Sequence, residues 1–181
     1  AQEVKLFKMV LPVDKNIFLK EARNLIEKYC NNSLKKKVVI DQGANFWNPI
    51  SSLKFYENAK VILVIRDPRS IFSSMKKRQS LSYPGHDVNA FIDWYQTIMS
   101  RFKMLKKTRD IKIVKYENFI LNHSNEKKNL LNFLELKNNK EFKYDLSASE
   151  KNIFKAKKNL SKHELKIIEK KLAKYLLWPK N

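Results

Sequence analysis

The chain contains very little cysteine and glycine. Its 181 residues include one cysteine, Cys30, and two glycines, Gly43 and Gly85. A single cysteine excludes an internal disulfide framework and a cysteine-based zinc site. Two isolated glycines exclude the glycine-rich phosphate loop of kinase-like nucleotide enzymes, which needs glycines, a lysine and a serine or threonine at fixed spacing. This cysteine usage fits a reducing compartment, and we expect a cytoplasmic protein.

Long apolar runs are also missing. No run approaches the roughly 20 apolar residues that a membrane-spanning helix needs. The first ten residues, AQEVKLFKMV, lack the basic region and apolar core of a secretion signal. We therefore expect no membrane partner.

Negative charge is scarce as well, since the chain has a formal net charge of +20 and a pI near 9.9. This balance favours anionic partners such as nucleotides, nucleic acid, or sulfated or phosphorylated substrates. Most of the excess is lysine in Lys/Asn-rich tracts, which are typical of solvated surfaces. Arginine is rarer, yet two of the six arginines, Arg66 and Arg69, lie within one short stretch.

That stretch reads VILVIRDPRSIFSSMKK and covers residues 61–77. The β-branched run predicts a buried strand, and the residues after the proline predict a helix. Asp67 is a good N-cap, and Pro68 suits the first helical position because proline has no N–H to leave unpaired. Arg66 is thus expected at the carboxyl end of a strand, beside a helix N-terminus that favours an anion.

Hydrophobic periodicity predicts alternating helices and strands along the chain. With 43% hydrophobic residues, the chain is long enough to bury the core of a single domain, which we expect to span residues 1–181. The predicted elements, in chain order, are a helix after Asp14, a strand at 38–40, a short helix after Asn48, a strand at 60–65, a helix from Asp87, a strand at 111–114 and a final helix. This order predicts an α/β fold, a parallel β-sheet flanked by helices on both faces.

The final helix carries the clearest start signal. Ser161 and Glu164 have the spacing of a capping box. The inward spacing that begins at Leu165 continues as far as Leu176, so the helix is expected to extend that far.

In open parallel sheets, ligands bind at the carboxyl ends of the strands. Three predicted strand ends carry polar residues: Asp41 with Gln42, Arg66 with Asp67, and Tyr116 with Glu117. We expect these three junctions to meet in one crevice.

The arginine after the strand, the proline two residues later and Ser74 eight residues after Arg66 resemble the 3′-phosphate-binding motif of sulfotransferases that use 3′-phosphoadenosine 5′-phosphosulfate. The flanking segments VVIDQGANFWNP and IVKYENF occur in the same order as in that family. The resemblance spans roughly residues 37–178. It implies a P-loop NTPase-like sulfotransferase fold.

The resemblance also implies roles for individual residues. Arg66 and Ser74 would hold the 3′-phosphate, and Tyr116 would lie near the adenine. Lys157 and Lys158 fall where the family often places a basic loop over the nucleotide. The implied cosubstrate is 3′-phosphoadenosine 5′-phosphosulfate, and its partner is an acceptor that the sequence does not identify.

Two departures from the family pattern stand out. Family members open with a strand and a Ser-Gly-Thr loop that holds the 5′-phosphosulfate through backbone N–H groups, and no such loop occurs in this chain. Gln42 stands where the family often has a lysine. We expect a sulfotransferase-like domain that is incomplete at its amino terminus, or else a member that has lost its activity.

The implied reaction is an in-line attack on sulfur by an acceptor hydroxyl or amine, which depends on positioning, charge stabilisation and a base. Asp41 at a strand end is the first candidate base, and His86 in the SYPGHDV loop is the alternative. Phe46, Trp47 and Trp94 are candidates for an acceptor pocket. No metal is expected.

Other functions stay open at this point. A basic α/β module that binds nucleic acid fits the charge, although the aromatic residues lie in amphipathic helices and no recognised nucleic-acid motif occurs. A catalytically inactive nucleotide-binding protein shares most features with the enzyme.

Overall fold

The structure is a computed structural model that describes residues 14–33, 40, 50, 53–56, 59–77, 84–105, 110–137, 145–153 and 156–178. The chain divides into two compact units, Ala1–Ala59 and Lys60–Asn181. None of the helices in these ranges is long and apolar enough to cross a membrane.

The first unit contains helix α1, Lys15–Ser33. Asp14 caps it as predicted, because its Oδ1 accepts the backbone N–H groups of Asn16 and Ile17 at 2.8 and 3.1 Å. The predicted strand at 38–40 and the short helix after Asn48 lie almost entirely outside the described residues.

The second unit contains two paired strands in its described part, β1, Val61–Ile65, and β2, Ile111–Lys115. They pair in parallel, with Val61 opposite Ile111 and Ile65 opposite Lys115. Parallel pairing needs a crossover, and helices supply it here. The prediction of an α/β fold with a parallel sheet flanked by helices is confirmed.

Seven helices follow β1 in the described ranges of this unit. They are α2, Pro68–Lys77; α3, Val88–Leu105; α4, Tyr116–Leu121; α5, His123–Leu134; α6, Leu146–Ile153; α7, Ala156–Asn159; and α8, Lys162–Lys171. A 3₁₀ helix, Ala173–Tyr175, comes next.

The core of the second unit joins helices that are far apart in sequence. It buries Phe72 of α2, Phe91 and Tyr95 of α3, Ile168 of α8 and Trp178 near the chain end. The Phe72 and Phe91 rings pack with their centroids 5.0 Å apart. Because Phe72 packs in this core, the core holds α2 in place, and α2 is the helix that begins at the predicted anion site.

Helix α8 starts as predicted but ends sooner. The Ser161 side chain accepts the Glu164 N–H at 3.2 Å, and the Glu164 carboxylate accepts the Ser161 N–H at 2.8 Å, so the capping box is confirmed. The expectation that the helix extends to Leu176 is wrong. Leu172 leaves helical geometry with φ −112° and ψ 22°, and Leu176 lies half-buried beyond the 3₁₀ turn.

Candidate functional site

The register of the sheet brings two of the three predicted strand ends together. Because Ile65 lies opposite Lys115, the residues that follow each strand emerge side by side. The Asp67 N–H donates to Glu117 Oε1 at 3.0 Å, which ties the two junctions directly. The third junction, with Asp41 and Gln42, lies outside the described residues.

Arg66 lies at the end of β1, where the sequence predicts it. Its guanidinium stacks on the Tyr116 ring, with 4.9 Å between Cζ and the ring centroid. Nη2 donates to the Asn152 carbonyl at 2.8 Å. Its side chain is 26% exposed, so the guanidinium is held on its inner side and open on its outer side.

Asp67 caps α2, as the sequence predicts. Its Oδ1 accepts the Arg69 N–H at 2.9 Å, and the carboxylate is fully buried. The positive end of the dipole of this ten-residue helix points toward the Arg66 turn, and Asp67 already accepts the N–H group of Arg69 there.

Arg69 is a structural residue, a role that sequence reasoning did not assign. It is fully buried and donates to both carboxylate oxygens of Asp67, at 3.0 and 2.9 Å. It also donates to Glu169 at 2.6 Å and to the Trp178 carbonyl at 2.7 Å. Its guanidinium lies 3.3 Å from the Trp178 ring centroid. Of the two arginines in the turn, only Arg66 reaches solvent.

The carboxyl-terminal part of the chain completes the turn. The Leu177 N–H donates to Asp67 Oδ2 at 2.9 Å, and the Ser70 hydroxyl donates to the Ile153 carbonyl at 2.9 Å. Together with the bond from Arg66 to Asn152, these contacts fix the strand-to-helix turn from three points more than 80 residues away. A pattern confined to residues 61–77 does not contain this information.

Ser74 lies on the exposed side of α2. Its hydroxyl donates to the Ser70 carbonyl one turn earlier, at 2.9 Å. To donate to a phosphate, the hydroxyl must rotate away from that carbonyl. The neighbouring Ser73 is buried, and its Oγ accepts the Asn159 amide at 3.2 Å.

Asn159 belongs to α7, and its bond to Ser73 places that short helix against α2. Lys157 and Lys158 lie in α7, although their side chains are outside the described part. The backbone of the predicted basic segment is therefore anchored to the helix that carries Ser74.

His86 is exposed in the turn before α3. The preceding residue, Gly85, packs so closely on α2 that an added Cβ would lie 3.0 Å from Met75 Cβ. The turn that contains His86 therefore lies against Met75, the neighbour of Ser74 in α2. This places a candidate base next to the same helix.

Of the three aromatic residues expected at an acceptor pocket, Trp94 alone lies in a described range. It is partly buried against the core, and its ring centroid is 5.8 Å from that of Phe91. Phe46 and Trp47 lie outside the described residues.

Burial shapes the electrostatics behind Arg66. Glu117 is 1% exposed, and burial raises the pKa of its carboxyl, while the hydrogen bond from the Asp67 N–H and the charge of Arg66 oppose the rise. The Tyr95 hydroxyl donates to the Arg66 carbonyl at 3.0 Å. Burial, with the carboxylates of Asp67 and Glu117 nearby, raises the pKa of Tyr95, so the phenol stays a hydrogen-bond donor.

Across the described ranges, no cluster of three or more histidine, cysteine, aspartate or glutamate side chains has the arrangement of a metal site.

A basic residue and a helix N-terminus at the carboxyl ends of parallel strands are typical of α/β proteins that bind phosphorylated ligands. The family model described as the sulfotransferase family matches residues 15–140. The match covers more than half of the 181 residues, and the chain belongs to the sulfotransferase family. Neither the curated proteins nor the solved structures include a significant match.

Proposed function

We propose that this chain binds 3′-phosphoadenosine 5′-phosphosulfate with the 3′-phosphate at Arg66, and that the complete site transfers the sulfonate to a hydroxyl or amine acceptor. One observation carries the proposal. In a chain of the sulfotransferase family, Arg66 lies at the end of β1 with its guanidinium braced by Tyr116 and partly open to solvent.

The donors around Arg66 suit a phosphate. An arginine presents a planar fork of N–H groups that matches two phosphate oxygens, and such charge-assisted bonds are about twice as strong as neutral ones. The N-terminus of α2 adds a favourable dipole. Ser74 offers a hydroxyl on the exposed side of the same helix once it leaves the Ser70 carbonyl.

Two further assignments belong to the proposal. Tyr116 is proposed to lie near the adenine, and its contact with Arg66 supports a place in the same crevice. Lys157 and Lys158 are proposed to cover the nucleotide, which the anchoring of their helix to α2 supports.

The donor supplies the sulfonate, and the acceptor oxygen or nitrogen attacks the sulfur as 3′-phosphoadenosine 5′-phosphate leaves. The chain's own part is to position the nucleotide through Arg66 and to take the acceptor proton. Asp41 is the proposed base, and His86 is the alternative. Because these 181 residues contain no Ser-Gly-Thr loop, we expect the chain alone to bind the nucleotide better than it catalyses transfer.

Nucleic-acid binding is the second candidate, and the charge of +20 favours it. Salt separates the two functions. Polyelectrolyte binding through many lysines should fall by about 10³ or more between about 50 and 200 mM salt. A mononucleotide held by a few directed bonds should lose far less.

The experiment is titration calorimetry of the purified chain with 3′-phosphoadenosine 5′-phosphate, adenosine 5′-phosphate and short RNA and DNA oligomers across that salt range. We expect preferential binding of the nucleotide with the 3′-phosphate, with a shallow salt dependence. Tight, sequence-selective oligomer binding at physiological salt without nucleotide binding would favour the nucleic-acid function instead.

A further inference from the structure

Two buried polar atoms at the strand ends have no hydrogen-bond partner within the described part of the chain. One is a donor, Arg66 Nε, and the other is an acceptor, Glu117 Oε2. Buried polar groups are nearly always paired, because an unpaired one loses its hydration without compensation. Here the unpaired donor and the unpaired acceptor belong to side chains that lie close together in space. This indicates that the two side chains take up a different pairing when a ligand is bound.

We propose that Glu117 is a positioning residue for Arg66: when the outer nitrogens of Arg66 bind a phosphate, its Nε moves onto the Glu117 carboxylate and donates a hydrogen bond to it. The inference rests on the proposed function, since it assumes that Arg66 binds the 3′-phosphate.

The distances suit this movement. Arg66 Nε lies 4.0 Å from Glu117 Oε1, within reach of charge attraction but beyond a hydrogen bond. A shift of roughly 1 Å would bring the two atoms into hydrogen-bonding range. The guanidinium lies over the face of Tyr116, with 4.9 Å between Cζ and the ring centroid, and a shift parallel to that face would keep the contact.

The Glu117 carboxylate is held in a fixed position, so it can orient the Arg66 guanidinium. Its Oε1 accepts the Asp67 N–H at 3.0 Å, so the turn itself orients the carboxylate. At 1% exposure it is covered by protein and lies behind the guanidinium. A carboxylate in that place orients the arginine without competing for the ligand, as orienting groups behind metal-binding histidines do.

A bound phosphate could replace the hydrogen-bond acceptor that Arg66 has in this structure. Nη2 donates to the Asn152 carbonyl, a neutral acceptor. A bond from Nε to the Glu117 carboxylate would join two charged groups, whereas the bond from Nη2 to the Asn152 carbonyl has a charged donor and a neutral acceptor. Ligand binding would therefore give the leftover donor, Arg66 Nε, a partner on the Glu117 carboxylate.

The test is nitrogen-15 NMR of the arginine side chains. Because the chain has six arginines, the Nε–H signals form a small set, and Arg66→Lys identifies the signal of interest by its loss. On titration with 3′-phosphoadenosine 5′-phosphate, we expect the Arg66 Nε–H proton to move downfield and to exchange more slowly with water. Adenosine 5′-phosphate, which has no 3′-phosphate, should leave it in place.

Glu117→Gln is the matched variant, since its amide oxygen can still accept the Asp67 N–H while the negative charge is gone. We expect it to melt as a folded protein and to lose the downfield shift of the Arg66 signal on nucleotide binding. A merely structural role would leave that shift unchanged.

The outcomes separate the two claims. If calorimetry shows that the nucleotide binds but the Arg66 Nε–H signal stays unchanged in the parent chain, the positioning role is overturned and the proposed function stands. If neither nucleotide binds, both are overturned. The parent chain alone decides the question if Glu117→Gln does not fold.

Discussion

Replacing Arg69 by methionine should cost the second unit more stability than any surface arginine can. The change removes a buried ion pair with both oxygens of Asp67 and the bond to the Trp178 carbonyl. Breaking a buried pair from one side costs about 3–5 kcal/mol, because the other charge stays buried without a partner. Methionine fills much of the volume, so the loss reflects charge more than a cavity.

The structure indicates which charge remains. Asp67 is fully buried and would keep only the backbone N–H groups of Arg69 and Leu177. The Glu169 side chain is 13% exposed and so retains some contact with water. Most of the penalty should therefore fall on Asp67.

A double-mutant cycle isolates that penalty. Urea unfolding, followed by far-ultraviolet circular dichroism, gives the free energy of unfolding of the parent, Arg69→Met, Asp67→Asn and the double variant. The double variant should lose less than the sum of the single losses, with a coupling of about 2 kcal/mol. Arg101→Met, at an exposed position of α3, is the control and should change stability by less than about 0.5 kcal/mol.

Additive losses within about 0.5 kcal/mol would refute the reasoning, because independent sites add and coupled ones do not. So would an Arg69→Met variant as stable as the Arg101 control.

Gly85→Ala should cost about 1–3 kcal/mol, since the new Cβ would lie 3.0 Å from Met75 Cβ, and thermal melting of the variant beside the parent chain checks this. Ser74→Ala should weaken the binding of 3′-phosphoadenosine 5′-phosphate by about 1 kcal/mol without lowering the melting temperature. Ser73→Ala, which loses the bond from Asn159, should lower the melting temperature and leave the affinity for the nucleotide unchanged. Burial raises the pKa of Glu117 above 4.5, so the folded state keeps this proton to a higher pH than the unfolded state. The free energy of unfolding of the parent chain, relative to that of Glu117→Gln, should therefore fall as pH rises from about 4.5 through the raised pKa and then level off. Urea denaturation of both proteins at several pH values measures this difference, and the opposite slope would contradict the prediction.

Local sequence signals predicted the elements that position the site. The β-branched run, Asp67 and Pro68 predicted the strand, the cap and the helix, and the structure has all three. Parallel pairing followed from the alternation of helix and strand. These features depend on residues close together in the chain, which is why a pattern could predict them.

The long-range contacts could not be predicted in the same way. Arg66 and Arg69 are three residues apart and identical in type, yet one is partly open and the other fully buried. Their difference comes from Asn152 and Trp178, which the fold brings to the turn from far along the chain. The same holds for Glu117, which the sequence placed at a strand end without indicating its contact with Asp67.

The end of α8 shows a second limit. Apolar spacing continued to Leu176, but the helix stops at Lys171 because the chain must turn to bring Leu177 to Asp67. Tertiary contacts decided this boundary over local periodicity.

The most direct test of the central claim is the affinity of Arg66→Ala for two nucleotides, measured by titration calorimetry on a variant whose folding thermal melting has checked. If Arg66 holds the 3′-phosphate, 3′-phosphoadenosine 5′-phosphate should bind about 1.5–3 kcal/mol more weakly, and adenosine 5′-phosphate should bind as it does to the parent. Arg101→Ala, which removes the same charge from an exposed part of α3, should change neither. Equal losses for both nucleotides, or no loss for either, would contradict the account and leave Arg66 as a residue that only stabilises the turn.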